Sequence, residues 1–357
     1  MAKPHNFYAG PAILPQSVIE DAANAIHDFA GTGLSILEVS HRSKEVVQFM
    51  EAGVAAVRQL LDLSDDYAVL YLTGGASSQF FMTAMNLLPS TGTAALLDTG
   101  TWSTKTIKEH RLFGKVDVVA SSKDKNFSYI PKGYDIPTDA TYMHITTNNT
   151  IFGTELHELP DTDLPFVADM SSNIFSRPID VERFGLIYSG AQKNLGPAGS
   201  TLVIVRKDLL GKVDREIPTM LDYRTHIKKD SAFNTPPVYP IYVLSKTLQW
   251  IVDQGGLKAM DQHNTEKAQL LYDEIDRNGL FEGTVAKEDR SRMNACFLLK
   301  DDSRNEAFLS ACKAANIIGL KGHRSVGGFR ASMYNAMQKE SVQTLVDVMQ
   351  EFERTNG

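Results

Sequence analysis

The stretch SGAQKNLGPAG, residues 189–199, decides the fold prediction for this chain. It lies between two apolar runs, LIY at 186–188 and TLVIV at 201–205, which indicates a loop between two buried strands. Burial beside apolar strands disfavours the charged form of a lysine, so the pKa of Lys193 should fall and its amine become available as a nucleophile or base. Most lysines in such loops are solvated surface charges, so a functional assignment needs a second feature.

That second feature is an aspartate at the end of an apolar strand. The run FVAD at 166–169 places Asp169 24 positions before Lys193. Ligands of open α/β sheets bind at the carboxyl ends of the strands. A lysine and an aspartate on neighbouring strand ends are what pyridoxal phosphate requires, the first for the covalent link and the second for the ring nitrogen. The pair predicts Lys193 and Asp169 as catalytic residues.

Composition and charge restrict the possible partners and compartment. The net charge is −7 and there is no basic run, which argues against nucleic acid or a membrane as the main partner. Two cysteines, Cys296 and Cys312, form neither a disulfide framework nor a metal-ligand cluster, so we expect core thiols and no metal site. The sequence has no apolar leader and no apolar run of transmembrane length, which predicts a cytoplasmic protein.

Seven apolar runs predict the strands of one sheet. They lie at 68–72, 94–97, 116–119, 142–145, 166–169, 186–188 and 201–205. Helical patterns, such as residues 44–61, alternate with them, which predicts an α/β fold with a mostly parallel, doubly wound sheet. A long irregular stretch follows at 220–242 and contains two consecutive prolines, which suit an exposed extended segment.

Two segments at strand ends are candidates for cofactor contacts. TGGASS at 73–78 is predicted to turn before a helix at 79–88, which places free N–H groups where a phosphate can bind, although a simple tight turn has the same sequence. Trp102 follows a strand end and can stack on a flat ring; the alternative is a half-buried loop anchor. Thr150 follows another strand end, where its hydroxyl can reach a ring oxygen or phosphate.

The chain resembles the phosphoserine aminotransferases, class-V members of the fold type I pyridoxal-phosphate-dependent transferases. The resemblance rests on ADMSS at 168–172 together with YSGAQKNLGPAG at 188–199, and it extends from NFYAGPA at 6–12 to GHRSVGGFRAS at 322–332. It therefore covers essentially the whole chain. We expect a large cofactor-binding domain over 16–256 and a smaller α+β domain formed by 1–15 and 257–357.

The resemblance implies a role for each matching residue. Lys193 corresponds to the Schiff-base lysine, Asp169 to the partner of the pyridine nitrogen and Trp102 to the ring-stacking residue. The other implied cofactor contacts are Ala76, Ser77, Thr150 and Gln192, with Asn234 and Thr235 reaching the cofactor phosphate from the second subunit of a homodimer with shared active sites.

For the substrate, the resemblance implies that Arg330 binds the α-carboxylate through its planar fork. The implied phosphate contacts are His41, Arg42, His323 and Arg324, and 2-oxoglutarate is expected to use Arg42 as well. Some members of the family carry Gly-Arg where this chain has Ala76-Ser77. Phosphate binding here therefore relies more on the two His-Arg pairs and on backbone N–H groups.

The implied reaction is a ping-pong transamination. It interconverts O-phospho-L-serine and 2-oxoglutarate with 3-phosphohydroxypyruvate and L-glutamate, a step of serine biosynthesis. Whether phosphohydroxythreonine, a substrate in pyridoxine biosynthesis, is also accepted stays open. The alternatives are another class-V enzyme, such as serine–glyoxylate or alanine–glyoxylate aminotransferase, and a non-catalytic pyridoxal-phosphate-binding protein. The repeated His-Arg dipeptide favours a phosphorylated substrate, because an aliphatic amino acid would leave those charges unpaired.

Overall fold

The computed structural model describes residues 3–357, and its elements alternate along most of the chain. In chain order they are β1 (His5–Asn6), α1 (Gln16–His27), α2 (Lys44–Leu61), β2 (Tyr67–Leu72), α3 (Gly75–Leu87), β3 (Thr93–Asp98), α4 (Thr101–His110), β4 (Lys115–Ser121), β5 (Tyr142–Thr146), β6 (Asn148–Asn149), β7 (Thr154–Glu155), β8 (Phe166–Asp169), β9 (Phe184–Gly190) and β10 (Thr201–Arg206). The remaining elements are α5 (Tyr223–Ile227), α6 (Val238–Asp253), α7 (Gly256–Arg277), β11 (Phe281–Gly283), β12 (Asn294–Leu299), α8 (Asn305–Ala314), β13 (Ile317–Ile318), β14 (Phe329–Ser332) and α9 (Lys339–Asn356).

A seven-stranded sheet lies at the centre of the fold, in the order β2-β10-β9-β8-β5-β3-β4. Strand β10 runs antiparallel to both of its neighbours, and the other pairs are parallel. All seven predicted strands belong to this sheet, which confirms the prediction of a mostly parallel α/β fold. The inner strands are buried along nearly their whole length, as expected of a sheet covered on both faces.

Helices cover the two faces of the sheet and form separate apolar cores. On one face, residues of α2 and α6, such as Val57 and Leu248, pack against Ile187 of β9. On the other face, Phe80 of α3 packs with Tyr188 of the same strand. Adjacent residues of β9 therefore point into opposite cores, which follows from the period of two in an extended strand. No helix among residues 3–357 is long and apolar enough to cross a bilayer.

A third apolar core is built from the two ends of the chain. It joins Phe7 to residues of α7, α8 and α9 and to the three-stranded sheet β11-β12-β14. Strand β1 pairs in parallel with β13, so the N-terminal segment is held against the C-terminal part. Cys312 lies in this core, and Cys296 is also buried and unpaired, which confirms that both cysteines are core thiols. The limits of the predicted domains stay a prediction.

Two local predictions were wrong, and one helix was missed. Helix α3 begins at Gly75, so part of the predicted turn at 73–78 is helical. Helix α4 was not predicted, because the residues it buries include Ser103, Thr106 and His110 rather than an apolar stripe. The irregular stretch at 220–242 contains the short helix α5 and the first turn of α6.

Helix α4 begins beside a carboxylate. Ser103 Oγ and Thr104 Oγ1 donate to the same oxygen of Asp98, at 3.0 and 2.8 Å. Ser103 Oγ also accepts from the backbone N–H groups of Thr99 and Gly100, each at 2.9 Å. A negative charge and satisfied N–H groups stabilise the helix start, and this fixes Trp102 at the carboxyl edge of the sheet.

Candidate active site

Lys193 and Asp169 lie at the ends of two neighbouring parallel strands, as the sequence predicts. Asp169 is the last residue of β8 and pairs with Tyr188 of β9, and Lys193 follows the end of β9 by three positions. Lys193 Nζ donates to Thr150 Oγ1 at 2.8 Å. Asp169 Oδ1 accepts from the N–H of Ser171 at 2.9 Å. The two ionisable groups therefore lie at the same sheet edge, each with a fixed hydrogen-bond partner.

Burial shifts the pKa of each group in the direction that favours its neutral form. It lowers the pKa of Lys193 to about 8; the charge of Asp169 opposes this shift and the charge of Arg330 adds to it. Burial also raises the pKa of Asp169, against the charge of Lys193 and the hydrogen bonds from Ser171. Lys193 is thus able to supply a neutral amine near neutral pH. The positive charge of Lys193 limits the rise in the pKa of Asp169 without reversing it.

A cavity of about 370 Å³ lies over this pair, a volume within the range of small-molecule sites. Its lining combines the first turn of α3, the aromatic residues Phe80 and Trp102, the acid Asp169, and residues 190–193 and 198–200. The predicted contacts Ala76, Ser77 and Gln192 all line it. The structure therefore places six predicted cofactor residues, including Lys193, around one cavity.

The first turn of α3 forms one wall of the cavity with its backbone. Gly74 and Gly75 have φ values of 92° and 65°, a left-handed conformation that favours glycine. No side chain caps this helix, so its first N–H groups are available to an anion. A Cβ on Gly190 would lie 3.4 Å from the nitrogen of Ala76, so the absent side chain allows the two backbones to approach closely.

The residues present fit pyridoxal phosphate. Trp102 offers an aromatic face, with Lys193 Nζ 5.5 Å from its ring centroid, and its indole Nε1 is buried without a hydrogen-bond partner. An acid lies at one side of the cavity and an uncapped helix N-terminus at another. A flat aromatic aldehyde with a phosphate group requires this set of an amine, an acid, a stacking ring and an anion site.

Arg330 reaches the same site from β14. Its Nη1 donates to the carbonyl of Thr150 at 3.3 Å, and its Nε is buried without a partner. Thr150 therefore contacts both cations, Lys193 through its hydroxyl and Arg330 through its carbonyl. The remaining N–H groups of the guanidinium are free to bind a planar anion.

The loop that carries His323 and Arg324 lies beside Arg330. The pKa of His323 is lowered by burial and then by the positive charges of Arg330, Arg324 and Lys105. In the same loop, Val326 packs against an apolar cluster of Phe127, Ile151 and Phe152, and Trp102 packs against the same cluster. The predicted phosphate contacts of this loop are therefore close to the cavity.

Eight predicted site residues do not line the Lys193 cavity: Thr150, Arg330, His323 and Arg324, which lie beside it as described above, and four more distant residues. His41 and Arg42 line a separate cavity of about 640 Å³ between α2, β2 and residues 229–232. Asn234 and Thr235 are exposed in the segment before α6. Within one chain the structure does not bring these four to Lys193, and their roles stay predictions.

The sequence analysis missed the N-terminal wall of the site. A Cβ on Gly10 would lie 3.3 Å from Lys193 Cγ and 3.4 Å from the carbonyl oxygen of Gln192. The adjacent carbonyl of Ala9 accepts a hydrogen bond from Tyr334 Oη at 2.6 Å. In the sequence, this wall is marked only by the motif at 6–12, which is part of the family resemblance.

Asn194, the neighbour of Lys193, was also missed. Its Nδ2 donates to the carbonyl of Ile174 at 2.6 Å, and its Oδ1 accepts from the N–H of Asn335 at 2.9 Å. Asn335 lies beyond β14, so Asn194 ties the lysine loop to the segment that follows Arg330. No periodic pattern marks such a contact between distant parts of the sequence.

Comparison with known proteins identifies the family. Residues 5–345 match the family Aminotransferase class-V. A phosphoserine aminotransferase of Parabacteroides distasonis is 58% identical over 354 residues, which cover 99% of both chains. The chain belongs to the phosphoserine aminotransferases. This confirms the resemblance seen in the sequence.

Solved structures of this family share the fold over the whole chain. Phosphoserine aminotransferase from Bacillus circulans subsp. alkalophilus superposes with a TM-score of 0.96 at 44% identity and covers 99% of both chains. A pyridoxal-phosphate-bound phosphoserine aminotransferase from Trichomonas vaginalis gives a TM-score of 0.93 at 39% identity, over 98% of this chain and all of the other. The prediction of the fold type I architecture is therefore confirmed.

Proposed function

We propose that this phosphoserine aminotransferase family member catalyses the reversible transamination of O-phospho-L-serine and 2-oxoglutarate to 3-phosphohydroxypyruvate and L-glutamate. The observation that carries the proposal is the placement of Lys193 and Asp169 on one cavity with Arg330 and the His323 loop beside it. An amine, an acid and a cluster of cations are the groups that a phosphorylated amino acid and this cofactor require.

Different residues of the cavity bind different parts of the cofactor. Pyridoxal phosphate, when bound, supplies an electron sink that allows the Cα–H bond of an amino acid to ionise. Asp169 holds a proton on the ring nitrogen, and Trp102 covers the ring. The N–H groups and hydroxyl at the first turn of α3, from Ala76 and Ser77, bind the phosphate, and Thr150 and Gln192 add polar contacts.

Lys193 moves the proton. Its free amine would take the proton from the substrate Cα, and the resulting ammonium would deliver that proton to the former aldehyde carbon of the cofactor. A pKa of about 8 suits this work, because both protonation states are populated near neutral pH. The hydrogen bond to Thr150 Oγ1 orients the amine, and Gly10 leaves room above the lysine side chain.

Arg330 and the His323 loop orient the substrate. The unused N–H groups of Arg330 bind the α-carboxylate, and His323 and Arg324 bind the phosphate of phosphoserine. The same cations accept the distal carboxylate of glutamate in the other half-reaction. A substrate without a second anionic group leaves these charges unpaired, which provides the specificity.

We propose a cytoplasmic homodimer in which a second copy completes each site. This accounts for the exposure of Asn234 and Thr235 and for the distance of His41 and Arg42 from the Lys193 cavity. Mixing a Lys193→Ala chain with an Asn234→Ala chain tests it: hybrid dimers then contain one intact site and regain part of the activity. If the mixed dimers regain no activity, each active site is formed within a single chain.

The reaction is tested by the absorption spectrum of the purified holoenzyme. Adding glutamate should convert the aldehyde form of the cofactor to the amine form, and adding 3-phosphohydroxypyruvate should reverse the change. A spectrum that does not respond indicates a non-catalytic binding protein. Equal rates with serine and phosphoserine would indicate a glyoxylate-type aminotransferase instead.

A further inference from the structure

Lys105 is a cation near the site, and no role has been assigned to it above. It lies on α4 three residues after Trp102, and its Nζ is 4.6 Å from the centroid of the Trp102 ring. Lys193 Nζ is 5.5 Å from the same centroid, so the two nitrogens are no more than about 10 Å apart. Because Trp102 lines the Lys193 cavity, the Lys105 ammonium lies against a residue of the cavity wall.

The charge of Lys105 is not neutralised within the chain. Among residues 3–357 its ammonium has neither an ion pair within 4.0 Å nor a hydrogen bond, and its contact is with the indole ring. Arg324 and Arg330 likewise have no carboxylate partner in the described chain. All three act electrostatically on His323, so cations without a carboxylate partner are concentrated in one neighbourhood, and their positive potential attracts an anion.

Lys105 also faces the loop that carries the predicted phosphate contacts. Its positive charge is one of the causes that lower the pKa of His323. Val326 of that loop and Trp102, over which the Lys105 ammonium lies, both pack against the cluster of Phe127, Ile151 and Phe152. The loop and Lys105 therefore both lie near the Trp102 indole, on which the cofactor ring is proposed to stack.

We infer that Lys105 is a specificity-determining residue that supplies a further positive charge to the phosphate of the substrate. This rests on the proposed function. A phosphate dianion is attracted more strongly by each added cation than a carboxylate monoanion is, so Lys105 favours phosphoserine over glutamate. Because the side chain is exposed, the attraction is screened and the effect on affinity is modest.

The test compares two substitutions on the same helix. Lys105→Gln removes the charge next to Trp102. Lys108→Gln removes an equally exposed charge one turn further along α4, where there is no indole contact. In the holoenzyme, we expect Lys105→Gln to raise KM for phosphoserine about two- to fivefold and KM for glutamate less than twofold, with kcat unchanged. Lys108→Gln should change neither KM, and Lys105→Arg should restore the phosphoserine value.

A second measurement uses the cofactor-free protein. NMR titration of His323 should show a higher imidazole pKa in Lys105→Gln, because a neighbouring positive charge has been removed, and no change in Lys108→Gln. An unchanged His323 pKa would overturn the inference. So would an equal rise in KM for both substrates, since that outcome assigns Lys105 only to the support of Trp102.

Failure of the proposed function has a different signature. In that case the unsubstituted enzyme itself would not distinguish phosphoserine from serine. A wild-type enzyme that prefers phosphoserine while Lys105→Gln keeps its full affinity would overturn only the role of Lys105.

Discussion

The amine of Lys193 is predicted to titrate near pH 8 in the cofactor-free protein. At pH 7 about one Lys193 in ten is then neutral, compared with about one in 2,500 for a lysine with an ordinary pKa of about 10.4. The reactive form is therefore enriched by about two orders of magnitude. This enrichment is what allows the lysine to form a covalent link and to act as a base near neutral pH.

The prediction is checked by competitive labelling. Cofactor-free protein is treated briefly with limiting acetic anhydride between pH 6 and 10, and acetylation at Lys193 is measured by mass spectrometry. A synthetic peptide of residues 189–199 gives the reference for the same lysine without the fold. The acetylation rate of Lys193 in the protein should be half-maximal near pH 8, well below the midpoint pH of the peptide.

Two substitutions should move this midpoint in opposite directions. Asp169→Asn removes a negative charge that stabilises the ammonium, so the pKa of Lys193 should fall. Arg330→Met removes a positive charge that destabilises it, so the pKa should rise. General loosening of the fold would move both variants towards the peptide. A midpoint at or above pH 10 in the wild type, or shifts of the same sign in the two variants, would refute the electrostatic account.

Three further predictions concern the packing around the site. Gly10→Ala places a Cβ 3.3 Å from Lys193 Cγ, so cofactor occupancy at limiting pyridoxal phosphate should fall. Gly33→Ala is the control: its backbone also has a positive φ, but its Cβ would have no neighbour within 4 Å, so cofactor occupancy should not change. Lys267 is fully buried and donates to the carbonyls of Met333, Tyr334 and Met337, so Lys267→Met should lower the free energy of unfolding by about 2–4 kcal/mol in urea, and the exposed Lys258→Met on the same helix by less than about 0.5 kcal/mol. Burial lowers the pKa of His110 to about 4, below its unfolded value of about 6.5, so the unfolded chain binds more protons between these pH values and the protein loses stability as pH falls through them. The His110 contribution to this loss is about 2 kcal/mol between pH 7 and 5, and His110→Phe should show a correspondingly smaller difference between urea unfolding at the two pH values.

The strands were predictable because the central sheet is buried on both faces. Continuous apolar runs such as 201–205 are characteristic of such strands and stand out from the polar loops around them. Lys193 and Asp169 were predictable for a related reason, since a charged residue at the end of an apolar strand, or a few positions beyond it, lies at a sheet edge. The pattern that marks a strand therefore also marks the residues at its end.

Helix α4 and the N-terminal wall were not predictable in this way. Helix α4 is stabilised at its start by Asp98 and buries hydroxyls and an imidazole, none of which produces an apolar period. Gly10 lies against Lys193 across more than 180 positions, and this proximity depends on how the N-terminal segment packs in the folded chain. Sequence patterns report local burial, whereas these features depend on which distant elements meet.

The position of Lys193 follows from the length of its own loop. Strands β9 and β10 are separated by residues 191–200, which is too short for the crossover of a dozen or more residues that a parallel pair requires. Strand β10 must therefore return antiparallel to β9, and Thr201 pairs directly with Gly190. Because the loop cannot leave the carboxyl edge of β9, Lys193 stays beside the end of β8, where Asp169 lies. The one reversed strand of the sheet is thus the structural reason that the amine and the acid share a cavity.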